Sequence, residues 1–280
     1  MKVALLLLSA ILVAGVVVLL IWRQMDHRAD SIAAEELIEL SKPTGERFHL
    51  SMVAGLPEPA RRYFAFSIEE GAPLCTAFEI KMDGELGNGT KDAPNYQLMK
   101  AIQTLAPPHG LIWKVKAGAL SGSDGALPGG SWTRFWLLGF VPVVRASGAD
   151  HHRSAFGRVI AEAAFWAPAS LLPSDRVRWE EVDEDTARAT ISYGSFTQDV
   201  DITVDEEGAP VTVRIDRWSN ENAAGEFREQ PFGGNLSGHR RFGDYNLPTH
   251  VEGGNHFGTE HYFPFFKANV NQIAPVCSAD

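Results

Sequence analysis

Arg158 and Glu162 are four residues apart in a segment with helical periodicity, so both side chains lie on one face of a helix and can form an ion pair. If other elements cover that helix, the pair is partly buried and needs further hydrogen bonds to be tolerated. The pair then has two interpretations. It is a structural ion pair, or it is a polar anchor that orients the head group of a ligand in an apolar pocket.

Three tryptophans are candidates to line such a pocket. Trp132 and Trp136 belong to residues 131–144, SWTRFWLLGFVPVV, an apolar run with more bulk than one strand face can bury, and Trp166 lies in the helical segment that contains Arg158. We interpret 131–144 as a strand covered on both faces, with a pocket rim or a membrane-contacting surface as alternatives. The candidate ligand-binding residues are therefore Arg158, Glu162, Trp166, Trp136 and Trp132.

The sequence contains no catalytic signature that would name a reaction. A Gly-x-Ser-x-Gly elbow, a phosphate-binding glycine loop with lysine and a Cys-x-x-Cys pair are all missing. His256 and His261 are five residues apart, a spacing that points two strand residues in opposite directions, so we predict no metal site and no cofactor. Asp124, beside Gly125, is interpreted as a turn residue. An enzyme that uses pocket residues with a histidine base stays an alternative.

Most of the chain after residue 71 has the two-residue period of β-strands with one apolar face. Glycine clusters at 122–130, 233–234 and 253–254 predict turns. Residues 199–205 and 211–216, separated by Glu206, Glu207 and Gly208, predict a β-hairpin. Further strands are predicted at 78–83, 111–116, 177–180 and 188–193.

One segment among these strands, residues 154–173, has the apolar spacing of an amphipathic helix, with Phe156, Val159, Ile160 and Ala163 on one face. A large antiparallel sheet with one apolar face must cover that face, and one helix is too little for flat packing. We therefore predict a mainly β (α+β) fold, in which a large curled antiparallel sheet, a half-barrel or open barrel, wraps around one central helix. Such an interior commonly contains a ligand cavity.

The chain begins with an apolar run at residues 3–22, from Val3 to Trp22, which has twenty residues without a charge. A helix of that length matches the roughly 30 Å hydrocarbon core of a bilayer, so we predict a retained transmembrane anchor, with a cleaved signal peptide as the alternative. The predicted parts are an anchor (1–28), a stalk or linker helix (29–55) and a curled β domain (56–280). We expect the cytoplasmic membrane, with the body outside the cytoplasm, although the positive charges flanking the run are nearly balanced.

Composition restricts the partners. The formal net charge of −10, with no cluster of basic residues, argues against nucleic acid as a partner. Cys75 and Cys277 are the two cysteines, and the sequence leaves open whether they form a disulfide.

Five segments together resemble, in sequence and in order, a bacterial family catalogued as domain of unknown function 6544. The most specific of them is an Arg-x-x-Ala-Glu helix that runs into Leu-Leu-Pro and is followed closely by a strand with a tryptophan. The resemblance implies a shared fold and membrane association, and it transfers no catalytic residue. The predicted architecture is also similar to the half-barrels that carry lipoproteins or lipids across the bacterial envelope. The five segments are residues 56–64, 139–144, 158–173, 177–194 and 242–254.

These observations favour a membrane-anchored protein that binds an apolar or amphiphilic, lipid-like ligand inside a curled sheet. The alternatives are an enzyme of unknown reaction and an envelope scaffold whose interior is fully packed.

Overall fold

Thirteen strands form one antiparallel sheet in the computed structural model of the protein, which describes residues 2–41 and 45–276. The helices are α1 (Lys2–Leu40), α2 (Glu58–Ser67) and α3 (Ala149–Trp166), with short 3-10 helices at Leu50–Val53 and Pro168–Leu171. The strands are β1 (Phe78–Gly87), β2 (Tyr96–Ala106), β3 (Gly110–Ala117), β4 (Leu120–Leu127), β5 (Gly130–Leu137), β6 (Val141–Ser147), β7 (Val177–Glu181), β8 (Thr186–Tyr193), β9 (Phe196–Val204), β10 (Pro210–Ser219), β11 (Arg228–Phe242), β12 (Tyr245–Asn255) and β13 (Phe263–Pro275).

The strand order is two meanders joined at their centre. The sheet runs β6-β5-β4-β3-β2-β1-β13-β12-β11-β10-β9-β8-β7, so β1 pairs with β13 and the free edges are β6 and β7. Helix α3 connects these edges and contacts strands of both meanders, including β4, β5, β9 and β10. The sheet therefore curls around α3, which confirms the predicted mainly β fold with one central helix.

The centre of α3 is buried because its apolar residues recur at helical spacing. Phe156, Val159, Ile160 and Ala163 all belong to the main core, as the sequence predicts. Helix α2 packs against the end of α3, where the Tyr63 hydroxyl donates to the Ala164 carbonyl at 2.8 Å. The predicted hairpin is confirmed as β9 and β10, which pair in antiparallel register.

Residues 131–144 form two strands, so the prediction of one strand covered on both faces is wrong. The chain reverses after β5 because Leu138 and Gly139 have positive φ values of 51° and 79°. Strand β6 then returns along β5 as the edge of the sheet, and Val141, Val143 and Val144 are exposed. An uninterrupted apolar run does not itself signal a turn, and here the turn depends on left-handed backbone at two positions.

Two of the glycine clusters predicted as turns lie within strands, and the third, 122–130, contains both part of β4 and the turn at Pro128 and Gly129. Gly122 and Gly125 belong to β4, where a Cβ atom at position 125 would overlap the Trp132 ring. Gly233–Gly234 of β11 pair with Gly253–Gly254 of β12, so the four glycines face one another across the ladder. Glycine inside a strand often marks a close approach of other groups, which is the role it has here.

Helix α1 continues from the apolar run onto the sheet without interruption. Within the described residues it is the one helix long and apolar enough to cross a membrane. Its second half packs on the outer face of the sheet, where Ala33 and Leu37 contact Ala106 and Ile112. Ile112 alternates along β3 with Leu111 and Trp113 of the inner core, so α1 and α3 lie on opposite faces.

Two aspartates of α1 are buried against the outer face of β4, β5 and β6. Asp26 accepts hydrogen bonds from Trp136 Nε1 at 3.0 Å and from Arg145 Nη2 at 2.6 Å. Asp30 accepts from the Ser123 hydroxyl at 3.0 Å. Burial raises the pKa of Asp30, although Ser123 and Arg134 oppose this shift. The polar contacts therefore fix the helix in register on the sheet.

The raised pKa of Asp30 predicts a pH dependence. The folded state binds the proton of Asp30 more tightly than the unfolded state does. At pH values above the raised pKa, the ionised carboxylate therefore lowers the free energy of unfolding. This cost disappears as the pH falls to the ordinary aspartate range near about 4. Asp30→Asn should therefore be as stable as the wild type or up to about 1 kcal/mol more stable at neutral pH, with the difference vanishing in acid. Thermal unfolding at a series of pH values measures this, and an Asp30→Asn protein that is less stable at every pH would contradict it.

Candidate functional site

An apolar cavity of about 250 Å³ lies between α3 and the inner face of the sheet. Aromatic side chains dominate its wall, and charged groups are confined to one side, next to α3. The apolar wall consists of Leu86, Trp113, Phe135, Ala161, Phe165, Val213, Phe232, Leu236, Val251, Phe265 and Phe266. We call this space the inner chamber.

Glycines of β11 and β12 form part of the wall of the inner chamber. Gly233, Gly234 and Gly253 line it. A Cβ atom at Gly253 would meet nothing closer than the Gly233 carbonyl oxygen at 3.8 Å, so this position opens onto empty space. At Gly234, by contrast, a Cβ atom would lie 2.1 Å from the Glu252 carbonyl oxygen. At Gly253 the chamber therefore occupies space that a side chain would otherwise fill, whereas at Gly234 glycine is required by the close approach of the backbone.

Arg158 forms the polar side of the inner chamber together with two carboxylates. Its Nε donates to Glu162 at 2.6 Å and its Nη1 donates to Asp124 at 2.9 Å. Gln103 donates to the second oxygen of Glu162 at 2.5 Å, and Thr133 donates to the second oxygen of Asp124 at 2.6 Å. Burial alone would lower the pKa of Arg158, but the two carboxylates raise it above its ordinary value. The Arg158 charge is thus neutralised within the protein.

Arg217 is the second cation at the chamber, and its situation differs. Its Nε donates to the Ser154 carbonyl at 3.2 Å, and its guanidinium lies 4.8 Å from the Phe232 ring centre. Among residues 2–41 and 45–276 no carboxylate lies within ion-pair distance of it. Burial, followed by the charge of Arg158, lowers the pKa of Arg217 to about 10. Asp124, Glu162 and Glu221 attract Arg217 only at longer range, so the described chain gives this cation no directly bonded carboxylate.

A second, more polar space of about 520 Å³ adjoins the inner chamber, and we call it the outer chamber. Asp124, Arg158, Arg217 and Phe265 line both spaces, which places the two cations at their junction. His151 also lines the outer chamber and contacts the hydroxyls of Ser131 and Thr133 at 2.6 and 3.0 Å. Burial lowers the pKa of His151, although the nearby Asp124 carboxylate opposes this shift.

The five candidate residues from the sequence occupy different places. Arg158 and Glu162 line the inner chamber, and Trp132 borders the outer chamber while its ring packs toward α1. Trp136 points to the outer face of the sheet, where its indole nitrogen bonds Asp26. Trp166 is fully buried in the core and donates to the Pro248 carbonyl, and it is absent from the wall of either chamber.

Three residues that the sequence reasoning did not select contribute to the chambers. Asp124 is a strand residue that pairs with Arg158, so its interpretation as a turn residue is wrong. Phe135 alternates with Trp136 and therefore faces inward. Arg217 is in phase with Val213 and Ile215 on the apolar face of β10. A charged residue in phase with core residues was the available signal for an inward-facing cation.

Within the described part of the chain, no group of three or more His, Cys, Asp or Glu side chains could hold a metal ion. At the junction of the chambers the described residues provide charged and hydrogen-bonding groups beside an apolar space.

Replacing Glu162 by glutamine should reduce stability. Glu162 is 8% exposed and accepts from both Arg158 and Gln103, so its loss leaves buried donors less well paired. We expect a loss of about 1–3 kcal/mol in the free energy of unfolding, measured by denaturant titration. Asp124 keeps Arg158 partly paired and limits the effect. A Glu162→Gln protein with unchanged stability would argue against the structural importance of this pair.

The chain is similar to one family of proteins and, more distantly, to solved structures. Solved structures similar to the chain include a LolA superfamily protein from Nitrosomonas europaea (12% identity, TM-score 0.42, covering 77% of this chain and 90% of that one). They also include a putative outer membrane lipoprotein-sorting protein domain from Vibrio parahaemolyticus (10% identity, TM-score 0.37, covering 81% of this chain and 91% of that one). No curated protein matches the sequence. Residues 46–268 match a family described as a family of unknown function (DUF6544). Because this match extends over most of the sequence, the chain belongs to the DUF6544 family.

Proposed function

We propose that the protein is a membrane-anchored binder of an anionic amphiphile, whose apolar part enters the inner chamber and whose head group contacts Arg217. The observation that carries this proposal is the position of Arg217, a cation without a carboxylate partner in the described residues, at the junction of an apolar and a polar space.

The shape and lining of the two chambers support an amphiphilic ligand. Ligand sites commonly have volumes of roughly 300–1,000 Å³, with apolar walls and a few convergent polar groups. The two adjoining chambers together fall within that range. An entirely apolar ligand would leave Arg217 without an anion, and an entirely polar ligand would leave the aromatic wall in contact with polar groups. A molecule with one apolar and one anionic part satisfies both regions.

Electrostatics favour an anion over a cation as the head group. Asp124 and Glu162 are already engaged by Arg158, Thr133 and Gln103. Glu221, which also lines the outer chamber, attracts Arg217 only at longer range and forms no ion pair with it. Arg217 uses only its Nε in a hydrogen bond to the described residues, so its terminal nitrogens are available as donors. A hydrogen bond to a charged group contributes about 1.5–3 kcal/mol, and two parallel bonds from one guanidinium to a carboxylate or phosphate add geometric specificity.

Anchoring in the cytoplasmic membrane, with the body outside the cytoplasm, is part of the proposal. Helix α1 continues without a break for eighteen residues beyond Trp22, and its buried Asp26 and Asp30 attach it to the sheet. This continuity favours a retained anchor over a signal peptide that is removed. Cys75 is disulfide-bonded, which favours an oxidising compartment for the body. Cys277, the other cysteine in the pairing that the sequence left open, lies outside the described residues.

The proposal is tested with a fluorescent fatty acid, dansyl-undecanoate, added to the full chain in amphipol. We expect a blue shift of the dansyl emission that saturates with protein concentration. Dodecanoate and dodecyl phosphate should displace the probe, whereas dodecylamine, with the same chain and the opposite charge, should compete much more weakly. Equal competition by the amine would refute the anionic head group, and a probe that never shifts would refute the binding site itself.

A further inference from the structure

We infer that the turn between β5 and β6 lies in the membrane interface and contacts lipid. The turn and the strand ends beside it carry six exposed apolar side chains, which we call the apolar tip: Leu137, Leu138, Phe140, Val141, Val143 and Val144. This inference rests on the proposed role of α1 as a membrane anchor, and it adds a second membrane contact that belongs to the body of the protein.

The apolar tip is attached to α1 at the residue where the apolar run ends. Arg23, which directly follows Trp22, donates through Nη1 to the Gly139 carbonyl at 2.6 Å. The rings of Trp22 and Trp136 meet edge to face with centroids 5.5 Å apart. If residues 3–22 span the bilayer, the contact between Arg23 and Gly139 sets the depth of the turn. That depth is the interface, where tryptophan and arginine are favoured at the ends of spanning helices.

The Arg145 side chain restrains the orientation of β6 relative to α1. The Arg145 guanidinium packs against both indole rings, 4.6 Å from the ring centre of Trp22 and 4.8 Å from that of Trp136. The same group donates to Asp26 at 2.6 Å. Strand β6 is thus held against the part of α1 that emerges from the bilayer, and the hairpin cannot move away without breaking a charged, partly buried contact.

The side chains of the apolar tip are unfavourable in water and gain nothing inside the protein. Leu138 is 66% exposed and adopts a positive φ of 51°, a conformation that bulky residues rarely occupy. Contiguous exposed apolar side chains mark interaction sites on protein surfaces. A lipid interface explains both their character and their position beside the anchor. Contact with a second copy of the chain would explain why these side chains are apolar, but it would not explain why they lie beside the anchor.

Contact between the apolar tip and lipid would also determine how far the outer chamber lies from the bilayer. Thr133 of β5 borders the outer chamber, and Leu138 follows five residues later along the same strand direction. At 3.4 Å per residue this separation is roughly 17 Å. A tip held in the interface would therefore keep the outer chamber close to the bilayer surface, where amphiphiles are present.

The test attaches a nitrobenzoxadiazole label to one introduced cysteine at a time in the full chain. The labelled proteins are placed in nanodiscs of phosphatidylcholine and phosphatidylglycerol. Fluorescence is compared with and without lipids that carry a nitroxide on the acyl chain. Labelling is done without reductant, because the described residues include no free cysteine. Leu138→Cys and Phe140→Cys report on the tip, and Val13→Cys reports on the anchor. Val182→Cys is the matched control, since Val182 is an apolar residue, 46% exposed, beside the opposite edge strand β7.

We expect the nitroxide lipids to quench the labels at positions 138 and 140 severalfold more than the label at 182, with a blue-shifted emission at the tip. Quenching at position 13 alone would overturn the inference while leaving the anchor in place. A blue shift at the tip without quenching by lipid would mean that protein covers it, and this would also overturn the inference. A label at position 13 that lipid does not quench would refute the anchor and the tip contact together.

Discussion

Gly253→Leu should weaken amphiphile binding by roughly two orders of magnitude while leaving the fold intact. Position 253 opens onto the inner chamber, and a Cβ atom there meets no atom closer than 3.8 Å. The four carbon atoms of leucine would occupy space that the proposed ligand fills. At about 0.8 kcal/mol for each displaced methylene, binding should weaken by roughly 3 kcal/mol, or roughly a hundredfold. Displacement of dansyl-undecanoate from the full chain measures the change.

The stability of the same variant separates a cavity from a packed core. Glycine within a strand is unfavourable, and replacing it at a compatible position stabilises proteins by about 0.4–1 kcal/mol. Gly253→Leu should therefore unfold at the same temperature as the wild type or higher. Gly253→Ala should retain most of the binding, and Gly55→Leu is a surface control because nothing lies within 4 Å of its added Cβ. A strongly destabilised Gly253→Leu protein would mean that the interior has no free volume.

Arg217→Met should weaken the binding of anionic amphiphiles by about tenfold to a hundredfold, which corresponds to the loss of a hydrogen-bonded charge pair. Methionine keeps a similar reach and apolar stem but cannot donate to a carboxylate or phosphate. The preference for dodecanoate over dodecylamine should fall with it. Competition between these two amphiphiles and the fluorescent fatty acid provides the measurement.

The Arg217 substitution is not expected to reduce stability. Burial lowers the pKa of Arg217, so the folded protein disfavours its charge relative to the unfolded chain. Removing that charge should leave the unfolding temperature unchanged or raise it. Arg214→Met is the matched control on the same strand, since Arg214 pairs with Asp201 and Asp216 and does not line either chamber. An Arg217→Met protein that unfolds readily yet binds normally would show that Arg217 is structural.

The fold could be predicted from the sequence because its main signals are periodic. Alternation along β1, β3 and β7 to β10 and the helical stripe of α3 each reflect a single buried face. What the sequence concealed depends on contacts between distant residues. The glycines of β11 and β12 have the composition of a turn, and only their pairing across the ladder reveals that they lie within strands, with Gly253 open to the inner chamber. The β5–β6 turn was hidden because Leu138 is an unusual residue for left-handed backbone.

The candidate site could be predicted only in part. The helical spacing of Arg158 and Glu162 fixes their common face, and the ion pair at 2.6 Å follows from it. Their neighbours Asp124 and Arg217 come from β4 and β10, which are far apart in the sequence and meet only because the sheet curls. Successive residues of a strand point to opposite faces of the sheet. Phe135 therefore lines the inner chamber, whereas its neighbour Trp136 contacts α1 on the outer face.

Native mass spectrometry of the full chain, extracted from membranes with a styrene–maleic acid copolymer, tests the central claim most directly. This extraction avoids detergent, which could itself occupy the chambers. The account predicts a protein ion that carries one co-purified anionic amphiphile, and the same ion without that added mass for Gly253→Leu. A wild-type protein that is free of bound amphiphile, and that has the same mass spectrum as the cavity-filled variant apart from the substitution, would contradict it.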